Sequence, residues 1–181
     1  MALGAALNGM RPVVEIMYPD FALVAADQLF NQIAKVRHMF GGDFPVRVLV
    51  RSRVSAGTGY GSQHSMDAAG LFALYPGWRI IAPSRPYDYI GLLNAALACD
   101  DPVLIVEYAE LFRSSGPVPK DWNYIVPFGK ARYARRGSRC TVLAYGTMVD
   151  AACEAAERSG VDAEVIDLRT IDPLGLDWDT I

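Results

Sequence analysis

The stretch RVSAGTGYGSQHSM, residues 53–66, combines three glycines with one histidine, His64. Glycine-rich loops can cradle phosphate groups or allow the backbone to approach a ligand closely. A histidine side chain titrates near neutral pH, so it can carry a proton or stabilise a developing negative charge. These residue types are consistent with a phosphate-binding loop, with an active-site loop around His64, or with a long turn.

The glycine spacing argues against the common nucleotide-binding motifs. A dinucleotide fingerprint needs a third glycine at the position of Ser62 and a long helix after it, and no long helix is predicted there. The chain lacks the P-loop pattern, and its two histidines lie too far apart to form a short metal motif. His64 is therefore either a catalytic residue or a hydrogen-bonded anchor of the loop, and the second is the more common role.

Short β-branched stretches alternate with helical ones over the first 110 residues. The predicted strands are PVVEIM, PVRVLV, WRIIAP and PVLIVEY, and the predicted helices include ADQLFNQIAKVRHMF and PYDYIGLLNAAL. This alternation is typical of βαβ units. It predicts an α/β fold with a doubly wound parallel sheet.

This topology places His64 beside a second stretch, MYPDF, residues 17–21. Ligands of doubly wound sheets bind beyond the carboxyl ends of the strands, and both stretches follow predicted strands. We expect Met17, Tyr18 and Phe21 to share this rim with His64, where an aromatic shelf suits an aromatic or partly charged cofactor. The alternative is that Met17 and Phe21 are ordinary core residues.

After residue 110, prolines and glycines replace the periodic segments. Further on, CTVLAYG is predicted as a buried strand, AEVIDL as a parallel strand, and MVDAACEAAERS as a helix with Thr147 and Asp150 as a capping box. We therefore expect a first domain, a linker after residue 110 and the start of a second α/β domain.

Composition narrows the function classes. Hydrophobic residues make up 52% of the chain and charged residues 20%, which predicts a folded chain. The net charge of −3 gives no attraction to phosphate backbones, and no segment is long and apolar enough to span a membrane. Neither nucleic acid nor a membrane is therefore an expected partner. The three cysteines form no CxxC pair and fit reduced core thiols in the cytoplasm: Cys99, Cys140 and Cys153.

Seven stretches of the chain, in this order, resemble the beta subunit of the thiamin-diphosphate-dependent first component of 2-oxo-acid dehydrogenase complexes. That group includes pyruvate, branched-chain and acetoin dehydrogenases. The stretches are GMRPVVEIMYPDF, DQLFNQIAK, GSQHSM, PGWRIIAPSRPYDYIGLLNAAL, DDPVLIVE, VPFGKA and AEVIDLRTIDPL. They cover nearly the whole chain, and the last is also similar to transketolase-like enzymes more broadly. The resemblance implies a transketolase-like pyrimidine-binding domain over residues 1–115, a linker over 116–128 and the start of a transketolase-type C-terminal domain over 129–181.

The resemblance also implies roles for individual residues. Phe21 matches the aromatic residue that packs on the aminopyrimidine of the cofactor, and Met17 matches a neighbouring pocket position. His64 matches the active-site histidine that handles the acyl intermediate, which favours the active-site loop among the three alternatives. The glutamate that activates the aminopyrimidine has no counterpart here. Glu15 lies in a predicted strand, where a structural carboxylate is the simpler interpretation, although it could line the pocket.

Partners and reaction follow from the same resemblance. An alpha subunit, or a fused alpha-like half, would bind magnesium and the diphosphate of thiamin diphosphate. A second beta subunit and a lipoyl-bearing acyltransferase would complete the assembly, in the cytoplasm or in the mitochondrial matrix of a eukaryote. The reaction would be oxidative decarboxylation of a 2-oxo acid with acyl transfer to lipoamide. Because the glutamate and much of the C-terminal domain have no counterpart, we expect these 181 residues to be a fragment that is inactive alone.

Some members of this family hold a structural potassium ion through backbone carbonyls near the helix that precedes DDPV. The resemblance places the equivalent positions at Val48, Ala96, Cys99 and Asp101. Because the ligands would be backbone oxygens, the identity of these side chains does not test the site.

Two other functions stay open. One is another transketolase-like enzyme, such as a deoxyxylulose-phosphate synthase, although GSQHSM and MYPDFALVAADQLFNQIAK favour the dehydrogenase beta subunit. The other is a non-catalytic dimerisation module that retains the fold. The basic stretch KARYARRGSR could dock an acidic lipoyl domain. A solvated strand edge also explains this stretch, and it is the interpretation we favour.

Overall fold

The structure is a computed structural model that describes residues 1–181. The helices are α1 (Ala2–Leu7), α2 (Val36–Met39), α3 (Ala69–Ala73), α4 (Pro86–Ala98) and α5 (Met148–Ser159). The strands are β1 (Val13–Ile16), β2 (Leu49–Val54), β3 (Arg79–Ile81), β4 (Val103–Tyr108), β5 (Arg132–Arg135), β6 (Cys140–Ala144) and β7 (Ala163–Asp167). None of the helices has the length and apolar character required to cross a membrane.

The first sheet contains four parallel strands in the order β1-β2-β4-β3. Side chains alternate along each strand, so Val50 of β2 packs into a core with Phe72 and Trp78, whereas Leu49 packs on the opposite face with Leu92 of α4. Apolar residues therefore cover both faces, as parallel sheets require. The predicted α/β fold with a doubly wound parallel sheet is confirmed.

The second sheet has the order β5-β7-β6, with β6 parallel and β5 antiparallel to β7. Helix α5 packs on this sheet through Val149 and ends at Gly160, whose φ of +70° is the left-handed conformation typical of a helix end. The prediction of a buried strand over β6 was wrong. The central strand β7 is buried on both faces at Val165 and Ile166, whereas β6 lies at the edge of the sheet with Cys140, Thr141 and Leu143 exposed.

Three local predictions need correction. The helix predicted over ADQLFNQIAKVRHMF is a π-helical segment, Asp27–Ile33, followed by the short helix α2. The strand predicted over 45–50 begins at Leu49, because both neighbouring strands begin after prolines, at Val13 and Val103, and ladder pairing starts there. The predicted capping box is not formed, since Thr147 makes no capping hydrogen bond.

The cysteines are not core residues. Cys140 is exposed, and Cys99 and Cys153 are half-buried. All three are free thiols, and burial raises the pKa of both Cys99 and Cys153.

Backbone hydrogen bonds join the two sheets. The segment after β7 runs along β3, where the amide of Ile171 donates to the carbonyl of Ile80 at 2.9 Å. The amide of Ala82 donates to the carbonyl of Arg169 at 2.8 Å. The free edge of β3 is therefore covered by the second part of the chain.

A buried cluster of charges lies at the same junction. Asp88 of α4 is 1% exposed and accepts a hydrogen bond from Arg169 Nη1 at 2.9 Å. Asp167 is fully buried and accepts from Arg132 Nη2 at 2.8 Å and from Ser84 Oγ at 2.5 Å. Burial raises the pKa of Asp167. Arg169 adopts a φ of +58°, which is unusual for a residue other than glycine, so its bonds hold a strained backbone.

The basic stretch on β5 is largely paired with acidic residues of the same chain. Carboxylates lie within 4.0 Å of four of its five basic side chains: Lys130, Arg132, Arg135 and Arg136. Only Arg139 has no carboxylate partner. β5 lies at the edge of its sheet, and Lys130 and Arg136 are exposed, as the favoured interpretation of a solvated strand edge requires; Arg132 departs from it, because it pairs with the buried carboxylates of Asp88 and Asp167.

Candidate active site

Two short 3-10 helices meet beyond the carboxyl ends of β1 and β2. Pro19–Leu23 follows β1, and Ser62–His64 follows the glycine-rich loop. The ring centroid of His64 lies 4.3 Å from that of Tyr18 and 5.5 Å from that of Phe21, both in edge-to-face orientation. The structure thus brings together three of the four residues predicted at this rim: Tyr18, Phe21 and His64.

A third aromatic side chain completes this group. The Tyr60 ring centroid lies 5.8 Å from that of Tyr18 and 6.1 Å from that of His64. We refer to Tyr18, Phe21, Tyr60 and His64 as the aromatic cluster. Tyr18 is buried, whereas Phe21 is 44% exposed, so the cluster presents an aromatic surface to solvent.

The His64 side chain makes no hydrogen bond within the chain. Its Nδ1 atom is buried and has no partner, although buried polar atoms are usually hydrogen-bonded. Because Nδ1 is buried, Nε2 is the ring nitrogen that a ligand can reach. The alternative of His64 as a hydrogen-bonded anchor of the loop is therefore not what the structure shows.

Other residues hold the loop in place. The backbone amide of Met66 donates to Asp20 Oδ2 at 3.2 Å, which joins the loop to the 3-10 helix after β1. Ser65 Oγ donates to the carbonyl of Gly61 at 2.7 Å. Gly57 has a φ of +78°, and a β-carbon there would collide with the carboxylate of Glu110. The flexible Glu110 side chain can move aside, so it is the backbone conformation that requires glycine at this position.

Tyr108, at the end of β4, connects the loop to the second sheet. Its hydroxyl donates to Asp67 Oδ2 at 2.5 Å, and Asp67 Oδ1 accepts from the amide of Ala69 at 2.9 Å. Burial and the Asp67 carboxylate raise the pKa of Tyr108, so the phenol stays protonated and remains a donor. The Tyr108 ring lies so close to Gly146 that a β-carbon there would collide with it. A cavity of about 320 Å³ adjoins this contact.

Two arginines on β2 have contrasting surroundings. Arg51 donates to Glu107 through Nε at 2.8 Å and Nη2 at 3.0 Å, and the hydroxyl of Tyr89 also donates to Glu107. Burial and Glu107 raise the pKa of Tyr89 to about 12. Arg53, two residues further along the strand, donates to the hydroxyl of Tyr18 in the aromatic cluster and has no carboxylate partner.

The other two expected cofactor residues lie on exposed surface. Glu15 of β1 is exposed, stands opposite Arg51 in strand register, and makes no hydrogen bond or ion pair. Met17, the residue after β1, is 61% exposed. The structure places Met17 near the rim next to Tyr18 in sequence, and it leaves Glu15 within the strand.

Two of the four positions matched to a potassium site have carbonyls that already accept hydrogen bonds from the backbone. The carbonyl of Val48 accepts from the amide of Val103 at 2.9 Å, and that of Ala96 accepts from the amide of Cys99 at 3.3 Å. A carbonyl oxygen has two lone pairs, so each keeps one acceptor position.

At the other two positions, arginines supply a positive charge. Arg11 Nη1 donates to the carbonyl of Cys99 at 3.2 Å and to that of Leu97 at 2.5 Å. The carboxylate of Asp101 forms an ion pair with Arg37. No group of three or more His, Cys, Asp or Glu side chains is arranged to hold a metal ion.

The arrangement suits a flat, weakly polar heteroaromatic group. Phe21 offers a partly exposed ring for stacking, and His64 offers an accessible nitrogen without a competing partner. Arg53 adds a positive charge at the same rim. Sequence reasoning did not single out Tyr60 or Arg53, although the period-2 alternation of β2 and the position of Tyr60 within the glycine-rich loop could have indicated them.

Comparisons with known proteins agree with this fold. A family profile described as the transketolase pyrimidine-binding domain matches residues 1–114, and one described as the transketolase C-terminal domain matches residues 129–181. A solved structure described as a split-gene transketolase, inactive beta4 tetramer, covers 99% of this chain with a TM-score of 0.76 and 21% identity. This chain covers 55% of that structure.

Curated relatives are more similar in sequence. The chain is 44% identical over 97% of its length to the beta subunit of acetoin:2,6-dichlorophenolindophenol oxidoreductase from Cupriavidus necator. It is 40% identical over 96% of its length to the 2-oxoisovalerate dehydrogenase subunit beta of Bacillus subtilis, and 38% identical over 98% to the pyruvate dehydrogenase E1 component subunit beta of the same species. It spans 53%, 54% and 55% of these three relatives.

Proposed function

Because this chain belongs to the transketolase family, with its pyrimidine-binding domain followed by its C-terminal domain, we propose that it acts within the beta subunit of a thiamin-diphosphate-dependent 2-oxo-acid dehydrogenase. It would contribute the half of the site that holds the aminopyrimidine. The observation that carries this proposal is the aromatic cluster, in which His64 has no hydrogen-bond partner beside the exposed ring of Phe21. The beta-subunit relatives support it.

Three residues would hold the aminopyrimidine. Phe21 would stack against the ring, Met17 would add an apolar contact from the end of β1, and Glu15 would line the outer wall. When bound, the cofactor supplies the carbanion that adds to the carbonyl carbon of a 2-oxo acid, with loss of carbon dioxide.

His64 would act on the substrate side of the site. Its accessible Nε2 can hold a proton next to the oxygen on which negative charge develops, or donate a hydrogen bond to that oxygen. Tyr18 and Tyr60 pack beside the imidazole ring, with centroid distances of 4.3 and 6.1 Å. The loop contacts of Asp20 and Asp67 would fix the position of His64 relative to the ligand.

We propose the remaining parts of the assembly by analogy with other members of the family. An alpha subunit or fused alpha-like half would bind magnesium and the diphosphate, a second beta subunit would complete the oligomer, and a lipoyl-bearing acyltransferase would accept the acyl group. Exposed apolar residues near β1 are the surface that we assign to these subunits: Met10, Val13, Met17, Leu23 and Val24. We assign residues 1–115, 116–128 and 129–181 to the pyrimidine-binding domain, the linker and the C-terminal domain.

The proposal is tested by cofactor binding and turnover in the complete protein with its alpha partner. We expect Phe21→Ala to weaken the calorimetric affinity for magnesium thiamin diphosphate about tenfold, because a stacked aromatic pair contributes about 1 kcal/mol beyond its buried area. We expect His64→Ala to leave that affinity unchanged and to lower 2-oxo-acid turnover about 100-fold or more.

Matched controls are available in the same chain. Phe40→Ala removes an exposed phenylalanine far from the rim, and His38→Ala removes the other histidine, which is exposed. Both should retain wild-type affinity and turnover. If the complete assembly does not bind the cofactor, a non-catalytic module with the same fold becomes the better explanation. If it binds the cofactor but turns over only sugar phosphates, the protein is another transketolase-like enzyme.

A further inference from the structure

Arg53 carries a half-buried positive charge that this chain does not neutralise. Its Nη2 donates to the hydroxyl of Tyr18, and its guanidinium carbon lies 4.9 Å from the centroid of the Tyr18 ring and 5.7 Å from that of Tyr60. Its Nε atom is buried without a hydrogen-bond partner. No carboxylate lies within 4.0 Å of the guanidinium.

Arg51 shows that this absence is specific to Arg53. Both side chains project from the same face of β2, and Arg51 is fully engaged by the two oxygens of Glu107. Removing a charged group from water without a partner is costly, and the Nε atom of Arg53 is removed from water without one. The tyrosine rings offset part of this cost through cation–π contact but supply no counter-charge.

The position of Arg53 indicates where the missing anion belongs. Arg53 and His64 pack against the same two rings, those of Tyr18 and Tyr60. Arg53 and His64 are therefore separated by no more than these aromatic side chains, and Arg53 is the nearest cation that the described contacts place around the His64 ring. The guanidinium fork matches a planar carboxylate, which can accept two parallel hydrogen bonds from it.

We propose that Arg53 binds the carboxylate of the substrate and thereby selects 2-oxo acids over neutral acyloins such as acetoin. The inference rests on the proposed function, and it adds a specificity-determining residue to that site. It also distinguishes between the compounds in the names of the relatives, because 2-oxoisovalerate and pyruvate carry a carboxylate and acetoin does not.

The test compares two probes that differ in charge. Oxamate is a carboxylate that resembles pyruvate but is not decarboxylated, and ethyl oxamate is its neutral ester. Both are titrated by calorimetry into the complete protein with its alpha partner and magnesium thiamin diphosphate. The variants are Arg53→Met, Arg53→Lys and, as a matched control, Arg139→Met, which removes an exposed arginine without a carboxylate partner.

We expect Arg53→Met to weaken oxamate binding about ten- to a hundredfold, because a charge-assisted hydrogen bond is lost. Ethyl oxamate should be affected less than twofold, and Arg53→Lys should retain part of the affinity because it keeps the charge without the fork. Arg139→Met should match the wild type. The ratio of kcat/KM for pyruvate to that for acetoin should fall at least tenfold in Arg53→Met, with cofactor affinity unchanged.

The inference is overturned if oxamate does not bind the wild type, or if Arg53→Met weakens oxamate and its ester equally. It is also overturned if the variant loses its alpha partner while oxamate affinity is retained, since Arg53 would then bind an acidic residue of that partner. If the wild type binds oxamate through Arg53 but turns over no 2-oxo acid, the carboxylate site stands and the proposed reaction fails. If 2-oxo acids are turned over regardless of Arg53, the reaction stands and the inference fails.

Discussion

Around the aromatic cluster, the side chains that fix the loop differ from the side chain that we propose to contact the ligand. Asp20 and Asp67 accept hydrogen bonds that fix the loop, whereas His64 uses none of its own hydrogen-bonding capacity within the chain. This separation suits the role proposed for His64, because a side chain that is positioned by packing alone keeps its hydrogen-bonding groups free for a ligand.

The Arg85–Asp150 ion pair gives a pH-dependent prediction. The hydrogen bond from Arg85 lowers the pKa of Asp150 below its ordinary value of 3.8. A carboxyl group with a lowered folded-state pKa stabilises the fold above its unfolded-state pKa, and it loses that contribution as the pH falls through the folded-state value. Both side chains are more than a third exposed, so solvent weakens the ion pair. We therefore expect Asp150→Asn to lower the free energy of unfolding by less than about 1 kcal/mol at pH 7.

Urea unfolding between pH 7 and pH 3 measures this contribution. The difference in the free energy of unfolding between the wild type and Asp150→Asn should be constant from pH 7 to pH 5. It should become smaller below pH 4. Asp43→Asn, which changes an exposed carboxylate without a partner, should show little difference at any pH. A difference for Asp150→Asn that does not change with pH would mean that the ion pair contributes nothing.

At the scale of residues, the sequence was sufficient to predict that His64 and Phe21 lie at the same rim. It was not sufficient to predict the contacts of Tyr60 and Arg53 there. His64 and Phe21 could be placed together because each follows a parallel strand, and such strands end at one rim. The roles of Tyr60 and Arg53 depend on the direction in which a loop residue and a strand residue point. No sequence pattern specifies whether an arginine finds a carboxylate, as Arg51 does and Arg53 does not.

The carboxyl end of α4 is held by Arg11, which precedes the edge strand β1. Its guanidinium donates to the carbonyls of Leu97 and Cys99 at the end of the helix, where the helix dipole favours a positive charge. We expect Arg11→Met to lower the free energy of unfolding by about 0.5–1 kcal/mol. Urea unfolding at pH 7 checks this, with Arg139→Met as the control for loss of an exposed positive charge.

The carbonyls matched to the potassium site lead to a second measurement at this end of the sheet. Val48 and Ala96 each keep one free acceptor position, and Arg11 occupies a position on Cys99. If potassium binds there, the unfolding midpoint will be higher in potassium chloride than in choline chloride at equal ionic strength, because a ligand of the folded state stabilises it. Equal midpoints in the two salts would contradict a potassium site and leave Arg11 and Arg37 as the positive charges at these positions.

At the scale of elements, the strands were easier to predict than their starting points. The alternation of apolar stretches was sufficient to identify all four strands of the first sheet. The start of β2 was predicted four residues early, because it depends on the prolines that precede β1 and β4, which are distant in sequence. The π-helical segment has the same apolar spacing as an α-helix, so periodicity does not distinguish them.

For the whole molecule, the buried charge cluster makes the two sheets depend on each other. Arg169 is 11% exposed and bonds to Asp88, so Arg169→Met leaves a buried carboxylate with only Arg132 as its partner. We expect a loss of about 3 kcal/mol in the free energy of unfolding. Arg158→Met, which removes an exposed ion pair within α5, should cost less than about 0.5 kcal/mol.

Hydrogen exchange shows whether the loss is local or global. In the wild type, amides of β4 and β7 should exchange together, because backbone hydrogen bonds and the charge cluster join the sheets. In Arg169→Met, amides of β7 should exchange faster while those of β4 keep their protection. Equal acceleration in both strands would show that the two sheets unfold as one unit even without this bond.

The domain junction was largely beyond prediction. The change of texture after residue 110 indicated a linker, but the pairing of β3 with the segment after β7 joins residues about ninety positions apart. The left-handed backbone of Arg169 also lacks a sequence signal, since glycine or asparagine would normally be expected there.

The uneven exposure of the three cysteines has a practical consequence. The thiolate is the reactive form of cysteine, and burial raises the pKa of Cys99 and Cys153. Cys140 is exposed at the start of β6. A maleimide dye at neutral pH should therefore attach to Cys140 first, which provides a natural labelling site on the second sheet for fluorescence measurements of how the two sheets move relative to each other.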